Sequence, residues 1–144
     1  MTRRKLSHTV KHHAASPTLR QLSQFRYQLR LFLRFSEKAA RAAGITPQQH
    51  QLLLGVAAFT GRGWATISEL AEFLQERHNA VVTLVSRASR ANLVRKEGVA
   101  RDRRLIRVDL TPACRAVLTE LTGLHRKELA RFEWGRLPLG LKKS

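Results

Sequence analysis

The stretch TISELAEFLQERHNAVVTLVSRASRANLVRKEGVARDRRLIRVDLT, residues 66–111, decides the fold. Thr66 and Glu69 have capping-box spacing, which predicts that the Thr oxygen and the Glu carboxylate satisfy free N–H groups at a helix start. Ile67, Leu70, Ala71 and Leu74 then form one apolar face. A break at 75–77 follows. Val81, Leu84, Val85 and Ala88 repeat at i, i+3, i+4 and i+7, which predicts a second helix. Its opposite face carries Asn79, Val82, Thr83, Ser86, Arg87 and Arg90. A face of amide, hydroxyl, methyl and guanidinium groups without a carboxylate suits a DNA major groove. After Asn92, LVRKE and RRLIRVDL read as two strands joined by an arginine-rich loop. The order helix, turn, helix, hairpin predicts a mainly α fold with a small antiparallel β-wing, a winged helix-turn-helix.

Several short pieces of this stretch carry a resemblance. They are SELAE at 68–72, Leu84-Val85 followed by Arg87, Leu93-Val94-Arg95, Asp102-Arg103-Arg104, Val108 and Leu110-Thr111-Pro112. In this order and spacing they resemble the MarR family of winged-helix transcriptional regulators, over about residues 17–131 by layout. The resemblance implies a homodimer on a pseudo-palindromic operator in double-stranded DNA. The recognition helix would lie in the major groove and the wing in the minor groove, with release by a small-molecule effector or a stress signal. It also implies DNA-contacting roles for Arg101, Arg103 and Arg104. Asp102 and Arg104 fit the family's Asp-x-Arg wing pattern, which implies that Asp102 orients the wing. Physically, a carboxylate can hold an arginine in a fixed fork so that it enters a narrow minor groove. The alternative for Asp102 is a surface ion pair of little worth.

The sequence departs from the family at three positions. Gln75 stands where such proteins prefer Gly, so a left-handed conformation there would cost about 1 kcal/mol. Asn92 also stands in a Gly position, but Asn is the second-best residue for a left-handed helix stop. Arg77 replaces a capping Ser or Thr. Asn79 is then either the cap, shifting the helix start by two residues, or a base reader. Arg87 is either a guanine-reading fork or a phosphate clamp, while Arg90, farther along, points to phosphate. Val82 and Thr83 can touch thymine methyls, and Val82 can equally flank the core.

Charge agrees with this reading. The 144 residues, one domain in size, hold 27 Lys+Arg against 10 Asp+Glu, a formal charge of +17. Such a chain is drawn to polyanions, with counterion release favouring nucleic acid, although arginine-rich composition can also follow from codon usage. From Arg77 to Arg107 nine Lys/Arg face only Glu97 and Asp102. The first 36 residues hold eight Lys/Arg and no acid. The hydrophobic fraction of 43% is that of a globular chain. A single cysteine excludes an internal disulfide, and no apolar run approaches a membrane span. The expected location is cytoplasmic, on the nucleoid.

Outside the motif, residues 1–16 read as a basic mobile arm and residues 17–144 as one domain. His8, His12 and His13 could share a metal ion, but no neighbouring Cys or carboxylate completes a site, and no metal or cofactor is expected. Ser16-Pro17 opens a long helix closed by Gly44, with a stripe of Leu22, Phe25, Leu29, Phe32 and Ala39. Leu31, Leu33 and Phe35 make its middle apolar nearly all round, which calls for a partner subunit. The alternating LRLFLRF leaves a strand as the competing reading. Thr46 and Gln49 form another capping box, opening a helix to about Thr60 with Leu52, Leu53, Val56 and Ala57 inward. Trp64-Ala65 reads as a one-bridge third strand, and Thr111-Pro112 starts a helix to about Arg131 through Val117, Leu121 and Leu124. Segments 17–43 and 112–144 are the dimerisation helices of this scheme and 46–111 the DNA-binding core. The family's further dimer-knitting helix does not show in the tail FEWGRLPLGLKKS, where Trp134, Leu137, Leu139 and Leu141 would pack on the partner instead.

Cys114 is read as buried and inert, against a redox-sensing alternative at a helix start. His50, His78 and His125 lack acids in any catalytic pattern, and no Gly-rich phosphate loop occurs, so an enzyme is not expected. Two rivals remain: a sequence-indifferent architectural DNA binder, and a small basic RNA-associated protein. An aromatic fraction of 6%, mostly at helix-core positions, speaks against the RNA reading.

Overall fold

The computed structural model describes residues 13–98 and 105–132. Expectations for the arm before residue 13, for Arg101, Asp102, Arg103 and Arg104, and for the tail after residue 132 lie outside the described residues.

Helix α1 spans Pro17–Ala42. The Ser16 hydroxyl accepts the Leu19 N–H at 3.2 Å, and Pro17 occupies the first turn, where its missing N–H costs nothing. Gly44, at φ +83°, ends the helix. The strand alternative for LRLFLRF is overturned. Between a capped start and a glycine stop, an unbroken backbone ladder of 26 residues outweighs seven residues of alternation.

Helix α2 spans Pro47–Leu54 and both halves of its capping box form: the Thr46 hydroxyl accepts the Gln49 N–H and the Gln49 side-chain Oε1 accepts the Thr46 N–H, each at 3.0 Å. The expected helix to Thr60 is not α-helical throughout, because Gly55–Phe59 form a π-helical turn. Gly55 shows why the chain comes so close to its neighbour there: a Cβ on it would sit 2.6 Å from Cδ1 of Phe73. Strand β1, Trp64–Thr66, pairs antiparallel with residues 107–109, over three residues instead of a single bridge.

Helix α3 covers Ile67–Leu74 and α4 covers His78–Arg90. The box at the start of α3 is only half made. The Thr66 hydroxyl accepts the Glu69 N–H at 3.3 Å, but the Glu69 carboxylate is held by the Arg62 guanidinium. Charge outcompetes a neutral N–H for that carboxylate. Strands β2, Val94–Glu97, and β3, Arg107–Leu110, follow, and β3 begins later than the expected Arg103 start. The three described strands are antiparallel in the order β1-β3-β2, so the last of them in sequence is central. Helix α5, Pro112–Arg131, is capped by Thr111, whose hydroxyl accepts the Cys114 N–H at 3.2 Å.

The core lies where α2, α3, α4 and the sheet meet. Leu52, Leu53, Val56, Ile67, Leu70, Val81, Val85, Ala88 and Val108 are buried in one cluster that α5 enters through Leu118 and Leu121. Helix α1 packs on α5 and α2. The interior therefore grips α4 along its Val81–Val85–Ala88 stripe and leaves the other side of that helix outward.

Candidate nucleic-acid interface

The turn before α4 bears a local cost. Gln75 adopts φ 52°, ψ 45°, the left-handed conformation a side chain disfavours. Three hydrogen bonds hold it there: Gln75 N–H to the Glu72 carbonyl at 3.1 Å, Glu76 N–H to the Ala71 carbonyl at 3.0 Å, and the Gln75 amide nitrogen back to the Glu72 carbonyl at 2.7 Å. Asn92, at φ 59°, closes α4 in the same conformation, with Leu93 N–H reaching the Ala88 carbonyl at 2.9 Å. Across the sheet, Thr111 donates its hydroxyl to the Asn92 carbonyl at 2.8 Å, tying the stop of α4 to the start of α5. Both ends of the helix are thus set by backbone bonds.

Asn79 is not the cap. The cap position is Arg77, in extended conformation and with no side-chain hydrogen bond, so α4 starts at His78 and no two-residue shift occurs. Asn79 is exposed in the first turn. The reason is local: α3 ends in the pinned turn at Gln75, so the chain re-enters helical geometry at once. Asn79, Val82, Thr83, Arg87 and Arg90 are exposed and Ser86 is half-buried, on one side of α4. The exposed Thr83 donates its hydroxyl back to the Asn79 carbonyl at 3.1 Å, a bond that restrains its side chain. Lys96 on β2 reaches the Ser86 hydroxyl at 3.3 Å, so wing and helix are bridged at that point.

Sequence reasoning missed a cluster at the β1 edge. The guanidiniums of Arg62 and Arg107 lie over the Trp64 ring, 3.9 and 4.5 Å from its centroid. Each also holds a carboxylate. Arg62 pairs with Glu69, and Arg107 grips Asp109 through two bonds of 2.8 and 3.0 Å. The Asp109 grip raises the Arg107 pKa further above its ordinary value. The register Trp64↔Asp109 and Thr66↔Arg107 brings these groups together, and no short-range spacing could reveal a pairing across strands 40 residues apart.

A second missed cluster joins α1, α2 and α5. His50 is buried, and its ring centroid lies 4.9 Å from that of His125. His125 donates from Nδ1 to the Leu121 carbonyl at 2.7 Å, since a carbonyl can only accept. Its Nε2 shares a second hydrogen bond, 2.8 Å long, with the Ser36 hydroxyl. Phe32 and Phe35 stand edge-on to the same ring. Burial, and then the neighbouring His125, lower the His50 pKa. Among the described residues no group of three metal-ligating side chains occurs.

Beside α5 lies a cavity of about 500 Å³ lined by Ala57, Leu110, Arg115, Leu118, Thr119 and Arg126 among others. Cys114 faces the interior, 1% exposed, and burial pushes its thiol pKa up, so little nucleophilic thiolate forms. No helix among the described residues is long and apolar enough to cross a membrane.

Residues 43–105 match the family model described as the MarR family. No curated protein sequence matches the chain. Among solved structures, AbsC, a MarR family transcriptional regulator from Streptomyces coelicolor, is similar at 21% identity and TM-score 0.67, covering 83% of this chain and 81% of that one. A further MarR family transcription regulator is similar at 27% identity and TM-score 0.67, covering 82% and 77%. A point variant of MepR from Staphylococcus aureus bound to an oligodeoxyribonucleotide is similar at 19% identity and TM-score 0.59, covering 79% and 85%.

Proposed function

We propose that this chain is a MarR-type, homodimeric transcription regulator that reads a pseudo-palindromic operator, a reading supported by the match of residues 43–105 to the MarR family model. One observation carries the reading. Helix α4 is anchored in the core along one side and presents Asn79, Val82, Thr83, Ser86, Arg87 and Arg90 on the other, without a carboxylate among them. In the proposed complex that side enters the major groove, Arg87 takes the guanine edge or the phosphate beside it, and Arg90 takes phosphate. Arg101, Arg103 and Arg104 enter the flanking minor groove, with Asp102 orienting Arg104.

The dimer seam uses apolar surface that the chain leaves uncovered. Phe32 is occupied within the chain, edge-on to His125 and Phe132. Leu22 and Leu33 of α1 and Leu124 and Leu129 of α5 are instead 41–56% exposed and fit a partner subunit. The cavity beside α5, flanked by Arg115 and Arg126, is the proposed effector site, and an effector there would act on the strand–helix junction at Leu110. The setting is the cytoplasm, on the nucleoid.

The test is selection from a random duplex pool followed by sequencing. An inverted repeat with half-sites about one helical turn apart is the expected result. Recovery of no preferred sequence would replace this reading with the architectural one. A second arm compares Asp102→Asn with the parent on operator and random duplex at one salt concentration. Looser operator binding is expected, although removing an acid raises net charge; tighter binding to both duplexes would show that charge alone governs.

A further inference from the structure

Helix α1 has a charged face that lies apart from the reading helix and outside the proposed dimer seam. Arg20, Arg26, Arg30, Arg34, Lys38 and Arg41 are all exposed, and Glu37 is the one acid on the helix. At about 100° per residue, the six cations fall within about 120° of the circumference. They lie opposite Phe25, Phe32, Phe35 and Ala39, which turn inward. Arg26, Arg30, Arg34 and Lys38 succeed each other at i+4, about 6 Å apart along the axis. From Arg20 to Arg41 the row runs about 31 Å, close to one turn of B-DNA at about 34–36 Å. None of the six makes an ion pair among the described residues. Glu37 lies within the same arc, so the face carries six cations and one acid; charges of one sign in that excess repel, and a helix keeps them at a cost unless a polyanion covers them.

We propose that this outward face of α1 is a second binding surface for double-stranded DNA, so that one molecule holds an operator at α4 and the phosphates of another duplex segment along α1. The proposal rests on the operator-reading role of α4. Helix α1 packs on α5 and α2, and so its charged face is built independently of the helix that reads sequence. Five of the six cations are arginines, whose planar forks grip phosphate oxygens in pairs. The proposed contact is to phosphates, and it is therefore indifferent to sequence. A second copy of the chain is a poor occupant, since it would bring the same charges face to face. The exposed Leu22 and Leu33 flank the row, so a dimer can form beside it and leave it open.

The experiment immobilises an operator duplex, saturates it with the full-length protein, washes it, and adds a labelled random duplex of 30 base pairs. The parent protein is expected to retain the second duplex. The variant Arg26→Glu/Arg30→Glu/Arg34→Glu should keep operator affinity within about threefold and lose at least about 90% of the second duplex. The same positions changed to Lys should restore most of it. These side chains are exposed, and unchanged circular dichroism and melting temperature would show that the fold is kept; the single change Arg30→Glu should give an intermediate loss. Failure of the parent to retain the second duplex overturns the proposal, as does retention by the triple variant at the parent's level. Loss of the second duplex in Arg87→Ala, with the operator still held, would place that duplex on the partner's reading head and also overturn it. Capture of phosphatidylserine vesicles in preference to random duplex, abolished by the triple variant, would assign the face to a membrane and overturn it equally. If the operator-reading role itself fails, the first duplex is held no better than a scrambled one, an outcome visible before the second is added.

Discussion

Two sets of arginines look alike by exposure and differ in what they can do. Arg87 and Arg90 stand exposed on α4 and make no ion pair among the described residues. The side chains of Arg62 and Arg107 are 43% and 45% exposed, yet each is gripped by a carboxylate and laid over Trp64. The first pair is available to a phosphate or a guanine. The second pair is already spent on holding β1 against β3 and α3. The count of 27 Lys+Arg therefore overstates the cations free to meet DNA, although the net charge of +17 already cancels such pairs; among the described residues, cations without an ion pair line α4 and α1, not the β1 edge.

This contrast can be broken most directly at its hinge. Trp64→Ala removes a half-buried ring that two guanidiniums cover, and should cost about 3 kcal/mol of stability, the low end for a large aromatic. Chemical denaturation would show it; an unchanged midpoint would mean that the cluster is only a surface arrangement. Arg87→Ala should leave stability alone and cost about 1–3 kcal/mol of operator binding, concentrated at one base position of each half-site. A uniform loss across all sequences would instead identify a phosphate clamp. Arg107→Ala should do the reverse of Arg87→Ala, lowering the melting temperature slightly while binding to random duplex changes little. If it weakens binding as much as Arg87→Ala does, the committed arginines are free after all and the distinction collapses.

A smaller, pH-dependent effect sharpens the same point away from the arginines. The folded protein holds His50 neutral, because burial and His125 lower its pKa below the ordinary histidine value of about 6.5. The unfolded chain then binds a proton first as pH falls. Stability is full above that ordinary value and declines as pH drops from it toward the lowered folded value. His50→Gln should flatten this part of a stability-against-pH curve, measured by denaturant titration between pH 7.5 and 5. A curve as steep in the variant as in the parent would locate the proton uptake elsewhere. The smallest effect belongs to Lys96→Ala, which removes a single 3.3 Å contact to Ser86 and should shift stability by less than about 0.5 kcal/mol.

The order of elements, the capped starts at Ser16, Thr46 and Thr111, and the outward polar side of α4 were all legible in residue order. Each depends on neighbours three or four positions apart, and local spacing is what a sequence displays. The left-handed stop at Asn92 was legible for the same reason. Tertiary structure alone decided the matters in which distant groups compete for one partner. Glu69 abandoned its own helix start for Arg62, because a guanidinium is the stronger donor. His50 met His125 across 75 residues, and Trp64 met Arg107 across 43, through packing and strand register that no local pattern encodes. Short-range preferences are written residue by residue along the chain, whereas pairing between charges and rings is settled only when folding brings their surfaces together and removes the water between them.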